Sequence, residues 1–364
     1  MSLVFSPISC GPLQLANRIV VSPMCQYSAV EGRPSAWHVQ HLMTLAMSGA
    51  SLVTLEATAV SPEGRITPMD LGLYTDEQEQ ALGEVLGLMR SVAPPQTKFS
   101  LQLSHAGRKA SANVPWMGGA WLAPLDGAWE TVAPSALPFG GDWPVPRALD
   151  EDGVAAVIRD FARAAKRADQ IGFDAIDLHF AHGYLVHQFL SPLANRREDR
   201  WGGDSFGRMR LALEIAIAVR RAVPSRLLLS ARLSGSDWLE PHETSEPAVN
   251  LAAALKAEGI GMVCLSSGGL APHARVRAGP FYQVPFARVV KQATGLPTQA
   301  VGLISDVQQA EAILARGDAD LVALGRAFLD DPRWVWQAAR RHNADVVVPP
   351  QYAKVAPGAW VRPS

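Results

Sequence analysis

The chain has 364 residues, of which 48% are hydrophobic and 18% charged, so it is long enough for one large domain and intrinsic disorder is excluded. Its 33 Lys and Arg against 34 Asp and Glu give a net charge of −1, which leaves nucleic-acid binding without electrostatic support. The sequence contains neither a run of about 18 apolar residues nor a signal-peptide pattern, so we expect no membrane span and no export. The 3 cysteines are too scattered for a disulfide framework, which predicts a cytoplasmic location.

Eight apolar segments rich in β-branched residues recur along the chain and predict strands. They are Arg18–Pro23, Ser51–Ala57, Lys98–Ser104, Asp174–His179, Leu227–Arg232, Gly261–Ser266, Thr298–Gly302 and Asp320–Gly325. The clearest helical patterns between them are Asp152–Ile171, Leu211–Ala222, Val249–Glu258 and Val307–Ala315. This alternation predicts an α/β fold, a (β/α)8 TIM barrel, with a doubly wound sheet as the alternative. We expect one domain over residues 1–348 and a proline-containing tail over 349–364.

A long segment after the third predicted strand, residues 107–147, interrupts this alternation. It contains many prolines, glycines and tryptophans and shows no clear periodicity. An insertion of this length in a compact domain is usually functional, and after a barrel strand it would cover the carboxyl face, where active sites form.

The fourth predicted strand leads into two histidines and a tyrosine: His179, His182 and Tyr184. Side chains alternate along a strand, so His179 and His182 can serve one ligand only if the chain turns between them, which Gly183 permits. Two converging imidazoles would offer N–H donors to one anionic oxygen, and the phenol of Tyr184 could give up a proton. A structural role for the histidines, or half of a metal site completed by Asp177 or His105, are the alternatives.

The carboxyl ends of other predicted strands carry groups that would suit flavin mononucleotide (FMN). Gly302 with Gly325 and Arg326 predicts a phosphate site at strands seven and eight. Gln102 could bind the pyrimidine edge of the flavin, and Arg232 could stabilise the anionic flavin ring after its reduction. No GxGxxG or Walker pattern supports a nucleotide bound in another way. Alternatively, Arg232 forms a buried ion pair, and the thiol that would complete the set, Cys25, is merely a small buried hydrophobe.

The chain resembles the old yellow enzyme family of flavin-dependent ene-reductases over roughly residues 5 to 352, in the subclass with a cysteine beside the flavin. Its likeness to xenobiotic reductases is strongest. The residues that carry the resemblance are Ala16–Ile19, Pro23–Tyr27, Glu56–Arg65, Gln102–Lys109, His179–Tyr184, Gln188–Pro192, Asn195, Arg196, Asp199, Gly202, Gly203, Gly325, Arg326, Asp331 and Pro332.

The resemblance implies an NADPH dehydrogenase with tightly bound FMN, a transient NADPH or NADH hydride donor, and no metal. The positions that match the family's FMN site are Ser22, Pro23, Met24, Cys25, Ala57, Gln102, Arg232, Gly325 and Arg326. His179 and His182 match the residues with which the family binds a substrate's carbonyl oxygen. Tyr184 matches the family's proton donor, and Tyr27 matches a tyrosine that lines the substrate pocket. The activity implied is reduction of the C=C bond of α,β-unsaturated carbonyl compounds. A flavin-binding sensor without turnover is an alternative from another class.

Two departures from the family pattern concern the pocket and the tail. Val301 stands where some xenobiotic reductases have tryptophan, and Lys354 where relatives often have arginine. By resemblance we expect a homodimer or homotetramer. We hypothesise that the tail docks across the subunit interface, with Lys354 or Trp360 lining the partner's pocket. The prolines in residues 349–364 make a helix there unlikely on sequence grounds.

Overall fold

The computed structural model describes residues 2–359. Parallel strands close into a barrel in which each of the eight pairs with the next along the chain, and the last pairs with the first. The strands are β1 (Ile19–Val21), β2 (Leu52–Ala59), β3 (Lys98–Ser104), β4 (Ala175–Phe180), β5 (Leu228–Ser234), β6 (Met262–Ser266), β7 (Thr298–Ala300) and β8 (Leu321–Leu324). Closure occurs where Val322 of β8 aligns with Ile19 of β1. The predicted TIM barrel is confirmed and the doubly wound sheet is excluded.

Helices lie between the strands and cover the outside of the barrel. They are α1 (Ala36–Ala46), α2 (Asp76–Val92), α3 (Glu151–Ile171), α4 (Leu185–Leu190), α5 (Ser205–Ala222), α6 (Glu246–Ala257), α7 (Val284–Thr294), α8 (Val307–Ala315), α9 (Arg326–Asp330) and α10 (Trp334–His342). Strands and helices enclose one large apolar layer, which stabilises the fold by removing that surface from water.

Helix α3 shows how the local sequence determines an element. The side chain of Asp150 accepts a hydrogen bond from the Gly153 backbone N–H at 2.8 Å and so caps the first turn. Gly172 ends the helix with φ of 100°, a left-handed conformation that glycine adopts without strain. Loss of such a capping carboxylate typically costs about 1 kcal/mol. The predicted helix and its glycine cap are confirmed, with the start one residue earlier than expected.

Two boundaries differ from the prediction in ways that matter for the site. Helix α5 begins six residues before the expected Leu211, because Asp204 caps it through the Gly207 N–H and its first turn is too exposed to show an apolar pattern. Strand β5 continues to Ser234, so Arg232 lies within the strand and not at its end. The sequence pattern does not mark this end, because both faces of the strand are covered and its residues do not alternate between apolar and polar.

The amino end of the barrel is closed by a hairpin of two three-residue strands, Ile8–Cys10 and Leu13–Leu15. Its side chains pack with apolar residues at the beginnings of the barrel strands, including Leu228 and Met262. The sequence pattern did not reveal this hairpin, because three residues are too few to display an alternation.

The segment 107–147 folds into 3-10 turns at Gly107–Lys109, Pro115–Met117 and Pro124–Asp126 and a short ladder of Val132–Ala133 with Arg147–Ala148. Its beginning lies over the carboxyl face, since the Arg108 guanidinium donates to Leu270 O at 3.0 Å. Among the described helices, none is long and apolar enough to cross a membrane.

Candidate active site at the carboxyl end of the barrel

The turn after β4 brings the two predicted histidines together. His182 and Gly183 both adopt positive φ, 61° and 72°. A Cβ at Gly183 would lie 2.1 Å from Gly269 O, so only glycine fits this close approach of two loops. The strand continues one residue past His179, and the turn expected at Gly183 is present.

The imidazoles of His179 and His182 meet edge to face, with ring centroids 5.0 Å apart and an interplanar angle of 80°. His179 Nε2 lies 3.3 Å from His182 Nδ1. Burial, and next the positive charge of Arg232, hold the pKa of both histidines well below the ordinary value. Both rings are therefore neutral near pH 7, and each carries a single N–H.

Ser266 contacts the outer nitrogen of His182. Its Oγ lies 2.7 Å from His182 Nε2 and donates to Gln283 Oε1 at 3.0 Å, so it can accept a proton of His182 on Nε2. When the hydroxyl turns to donate to His182 Nε2 instead, the His182 proton must lie on Nδ1, facing His179. In that tautomer both imidazoles can donate to one oxygen between them.

Tyr184 and Lys109 complete this side of the site. The Tyr184 ring stands at 86° to the His179 ring, with centroids 5.0 Å apart, and burial raises the pKa of its phenol well above the usual range. The Lys109 Nζ donates to His182 O at 2.8 Å and to Gly269 O at 2.9 Å, and lies 5.1 Å from the Tyr184 ring centroid. Burial, and next the charge of Arg108, lower the pKa of Lys109 to about 8. Lys109 thus fixes the turn while Tyr184 remains a protonated phenol.

Cys25 and Tyr27 follow β1 on a loop where Tyr27 has φ of 46°. Burial, followed by the carboxylates of Asp70 and Glu56, raises the pKa of the Cys25 thiol well above its ordinary value. The Tyr27 ring contacts Trp116 of the segment 107–147 edge to face at 6.0 Å. Cys25 is therefore a neutral thiol, which disfavours a nucleophilic role.

A cavity of about 740 Å³ opens near the paired histidines and is lined in part by Ser266, the neighbour of His182. Of the residues predicted to bind FMN, it is lined by Ser22, Pro23, Met24, Arg232, Gly302, Gly325 and Arg326. Cys25, Ala57 and Gln102 do not line it; Ala57 and Gln102 are register partners on the adjoining strands β2 and β3. Gln102 donates from Nε2 to Asp177 Oδ2 at 2.7 Å, which leaves its Oε1 and a second N–H for another partner. Val301 also lines the cavity.

The donors at this cavity fit an anionic cofactor. Arg232 Nε is buried without a hydrogen-bond partner, and within residues 2–359 no carboxylate forms an ion pair with Arg232. The predicted alternative of a buried ion pair is therefore wrong. Gly325 precedes helix α9 and has no side chain to cap it, so the first backbone amides of the helix are open to a phosphate.

The metal-site alternative finds no matching geometry. Asp177 accepts hydrogen bonds from Gln102 and Ser230, as expected for a carboxylate that packs inside the fold. His105 Nδ1 accepts from Gly107 N at 3.1 Å. Across the described part of the chain, no three His, Cys, Asp or Glu residues are grouped so that they could hold a metal ion.

Sequence reasoning assigned no role to Ser266, Gln283 or Lys109. Ser266 ends β6, so its position at a strand end was the available signal. Lys109 ends a 3-10 turn and Gln283 immediately precedes α7, and their contacts with His182 and Ser266 join different elements of the chain. Nothing local in the sequence indicates such contacts.

The barrel, the cavity lined by Arg232 and the paired imidazoles together fit a flavin-dependent oxidoreductase of the TIM-barrel class. Residues 3–345 match the NADH:flavin oxidoreductase / NADH oxidase family. The chain is 38% identical over 355 residues to an NADPH dehydrogenase of Geobacillus thermodenitrificans (strain NG80-2), covering 97% of this chain and 98% of the relative.

Solved structures agree with this sequence match. Morphinone reductase superposes with a TM-score of 0.77 at 28% identity, covering 99% of this chain and 94% of that one. Morphinone reductase in complex with tetrahydroNAD gives 0.76 at 27% identity, with 96% and 93% covered. The chain belongs to the NADH:flavin oxidoreductase / NADH oxidase family, that is, to the old yellow enzymes. It is an FMN-dependent enzyme that takes hydride from NADH or NADPH.

Proposed function

We propose that the enzyme reduces the C=C bond of α,β-unsaturated carbonyl compounds. The observation that carries the proposal is the pair His179 and His182, whose facing nitrogens are 3.3 Å apart. A carbonyl oxygen that enters between these nitrogens would replace their mutual contact and accept an N–H from each ring. FMN, when bound, supplies the hydride for the β-carbon of the substrate.

The two imidazoles stabilise the charge that develops on the carbonyl oxygen as the β-carbon is reduced. Because His179 is buried, His182 is half-buried and both rings are neutral, their N–H dipoles act in a medium that screens them weakly. Removal of one donor of this kind typically costs about 10²–10³ in rate. Both N–H groups face the oxygen in the tautomer that forms when the Ser266 hydroxyl turns from Gln283 Oε1 and donates to His182 Nε2.

Tyr184 returns a proton to the α-carbon and completes the reduction. Burial keeps its phenol protonated at neutral pH, as a general acid requires. The edge-to-face contact with His179 and the ammonium of Lys109 above its ring hold Tyr184 beside the oxyanion pair. The Lys109 charge also favours the phenolate that remains after proton transfer.

The proposal is tested by supplying 2-cyclohexen-1-one and NADPH to the FMN-loaded protein and measuring cyclohexanone by gas chromatography. We expect turnover by the wild type and a loss of about 10²-fold in Tyr184→Phe, the range for a lost general acid. Flavin reduction by NADPH in the absence of enone should be unaffected in this variant. Flavin reduction by NADPH with no cyclohexanone formed would contradict the proposal.

A further inference from the structure

A hairpin in the long segment after β3, residues 111–122, presents an apolar surface at the carboxyl end of the barrel. Its two arms run antiparallel and meet at Ala112 and Trp121. Its base is fixed to the loop after β2, because Ala112 N donates to Ile66 O at 2.8 Å. Residues 110–125 include no charged side chain, so the hairpin and its flanks lack the groups that usually keep an exposed turn in water.

The tip of this hairpin holds two large apolar side chains in solvent. Trp116 and Met117 belong to a 3-10 turn and are 66% and 69% exposed. The turn is closed by Gly118 and Gly119, which have φ of 98° and 64°, and Gly119 N donates to the carbonyl of the buried Val114 at 3.2 Å. The tip therefore has a defined backbone that directs both side chains outward, and adjacent exposed apolar groups of this kind are typical of binding surfaces.

Tyr27 connects the tip of the hairpin to the active site. Its ring meets the Trp116 ring edge to face, with centroids 6.0 Å apart and an interplanar angle of 75°. Tyr27 also lies within electrostatic reach of Tyr184, since burial raises the pKa of the Tyr184 phenol and the neighbouring Cys25 and Tyr27 groups add to that rise. Trp116 is therefore separated by a single aromatic residue from the groups that surround a bound oxyanion.

A second aromatic residue of the segment 107–147 lies beside the same site. The Lys109 Nζ is 4.9 Å from the Phe139 ring centroid and 5.1 Å from that of Tyr184. Phe139 is half-buried and meets the Trp143 ring edge to face, with centroids 5.2 Å apart. The segment thus places apolar rings next to both tyrosines, so the surroundings of the oxyanion pair favour an apolar ligand over a charged one.

We propose that Trp116 and Met117 form an apolar lip of the active site, and that this lip selects carbonyl compounds that carry an additional aromatic ring. The oxygen of such a compound is held by His179 and His182, and its distal ring packs on Trp116. Because the lip faces water in the unliganded protein, this contact removes apolar surface from water and strengthens binding. The inference rests on the proposed reduction of enones for the reaction that follows, whereas the recognition itself can be measured without turnover.

The lip is tested by titrating the FMN-loaded protein with two phenols of similar acidity, 4-hydroxybenzaldehyde and 4-hydroxybenzophenone, of which the second carries an additional phenyl ring. We expect the benzophenone to bind at least about tenfold more tightly, and Trp116→Ala to reduce this ratio of affinities at least about fivefold, as for the loss of an aromatic contact. Trp116→Phe should restore part of the ratio, since a smaller ring remains. Leu125→Ala changes a fully exposed residue on the next 3-10 turn, so this matched control should keep the wild-type ratio.

The ratio isolates the lip, because a change at the histidine pair affects both phenols alike. A wild-type ratio near one, or an unchanged ratio in Trp116→Ala, would overturn the proposal. A raised Michaelis constant for NADPH with an unchanged ratio would assign Trp116 to the hydride donor, and dissociation of an oligomer in sedimentation would assign it to a contact between copies of the chain; either result would overturn the lip. If the ratio responds as expected but no enone is reduced, the lip stands and the proposed reaction is wrong.

Discussion

The two ends of the barrel differ in the kinds of groups that they bury. At the amino end, Leu13 and Leu15 of the hairpin pack with Leu228 and Met262 in a buried apolar cluster. At the carboxyl end the backbone adopts positive φ at His182, and buried polar atoms lack partners. The same strands serve both ends, so the barrel separates the residues that stabilise the fold from those that prepare the chemistry.

The unpartnered atoms of the carboxyl end include Arg232 Nε and His179 Nδ1. A buried polar group without a hydrogen bond typically costs about 1–3 kcal/mol of folding free energy. The carboxyl end therefore lowers the stability of the chain without its ligands, and the apolar layers offset that cost. Substitutions at the two ends should separate stability from activity.

The largest effect on stability is expected for Leu228→Ala at the amino end. Leu228 is fully buried, and its loss would leave a cavity beneath the hairpin. The free energy of unfolding should fall by about 2–5 kcal/mol, with enzymatic rates nearly unchanged below the melting temperature. Chemical denaturation measures the first quantity and NADPH oxidation the second. A large loss of activity in the folded variant would show that the two ends are not separate.

The complementary change at the carboxyl end is Arg232→Met. Arg232 is half-buried, its Nε lacks a hydrogen-bond partner, and among residues 2–359 no carboxylate pairs with it, so its removal should leave the flavin-free protein as stable as the wild type or more stable. NADPH oxidation should fall by about 10²–10³, as for other preorganised electrostatic groups. Denaturation of the flavin-free protein and steady-state kinetics after reconstitution measure the two effects. Strong destabilisation with normal kinetics would assign Arg232 to the fold.

A smaller effect is expected for Ser266→Ala, which removes the hydroxyl 2.7 Å from His182 Nε2. Phenolate binding should weaken about tenfold, corresponding to about 1.4 kcal/mol, because no hydroxyl can then turn to donate to Nε2 and place the His182 proton on Nδ1. Ser267→Ala is the matched control, since Ser267 Oγ donates to the same Gln283 Oε1 at 2.8 Å but has no hydrogen bond to His182. Equal effects of both variants would mean that Gln283, and not the tautomer, is responsible.

The smallest effect on catalysis is expected for changes in the tail, residues 349–364. Pro350–Val355 forms a 3-10 helix, a geometry that the prolines permit although the sequence had argued against a helix. It packs on its own chain, with the Tyr352 ring 5.6 Å from that of Trp336, while Lys354 is exposed. Trp360, the other residue expected to reach a partner's pocket, lies outside the described residues. Docking across an interface, and the homodimer or homotetramer that it requires, stay predictions.

Deletion of residues 350–364 should raise the Michaelis constant for bulky enones a few-fold with FMN retained. Mixing the deleted subunits with subunits carrying His179→Ala and His182→Ala tests the direction of docking. Restored Michaelis constants in demonstrated mixed dimers would establish docking across the interface. Mixed dimers without restoration would place the tail's action within its own chain.

The barrel could be predicted from sequence because its strands are short, buried on both faces and separated by amphipathic helices. Helix α8, Val307–Ala315, matched its prediction at both ends, since Asp306 caps it and its apolar pattern begins at once. The start of α5 was missed because exposed residues such as Phe206 carry no such pattern. The apolar pattern of the sequence therefore predicts helices and strands well wherever buried residues recur at a regular spacing.

The site could be predicted only in part. His179, His182 and Arg232 stood at or near strand ends, where a barrel gathers its functional groups. The network of Ser266 and Lys109 around the histidines depends on contacts across loops, so no periodicity or spacing encodes it.

The central claim is that His179 and His182 together hold an oxyanion, and a spectroscopic titration tests it most directly. The FMN-loaded wild type, titrated with 4-hydroxybenzaldehyde, should develop a long-wavelength charge-transfer band. The double variant His179→Ala with His182→Ala should keep its flavin, lose the band and bind at least about 100-fold more weakly, as expected for two lost hydrogen bonds to a charged group. His273→Ala, an exposed histidine, should behave as the wild type. An unchanged band and affinity in the double variant would contradict the account.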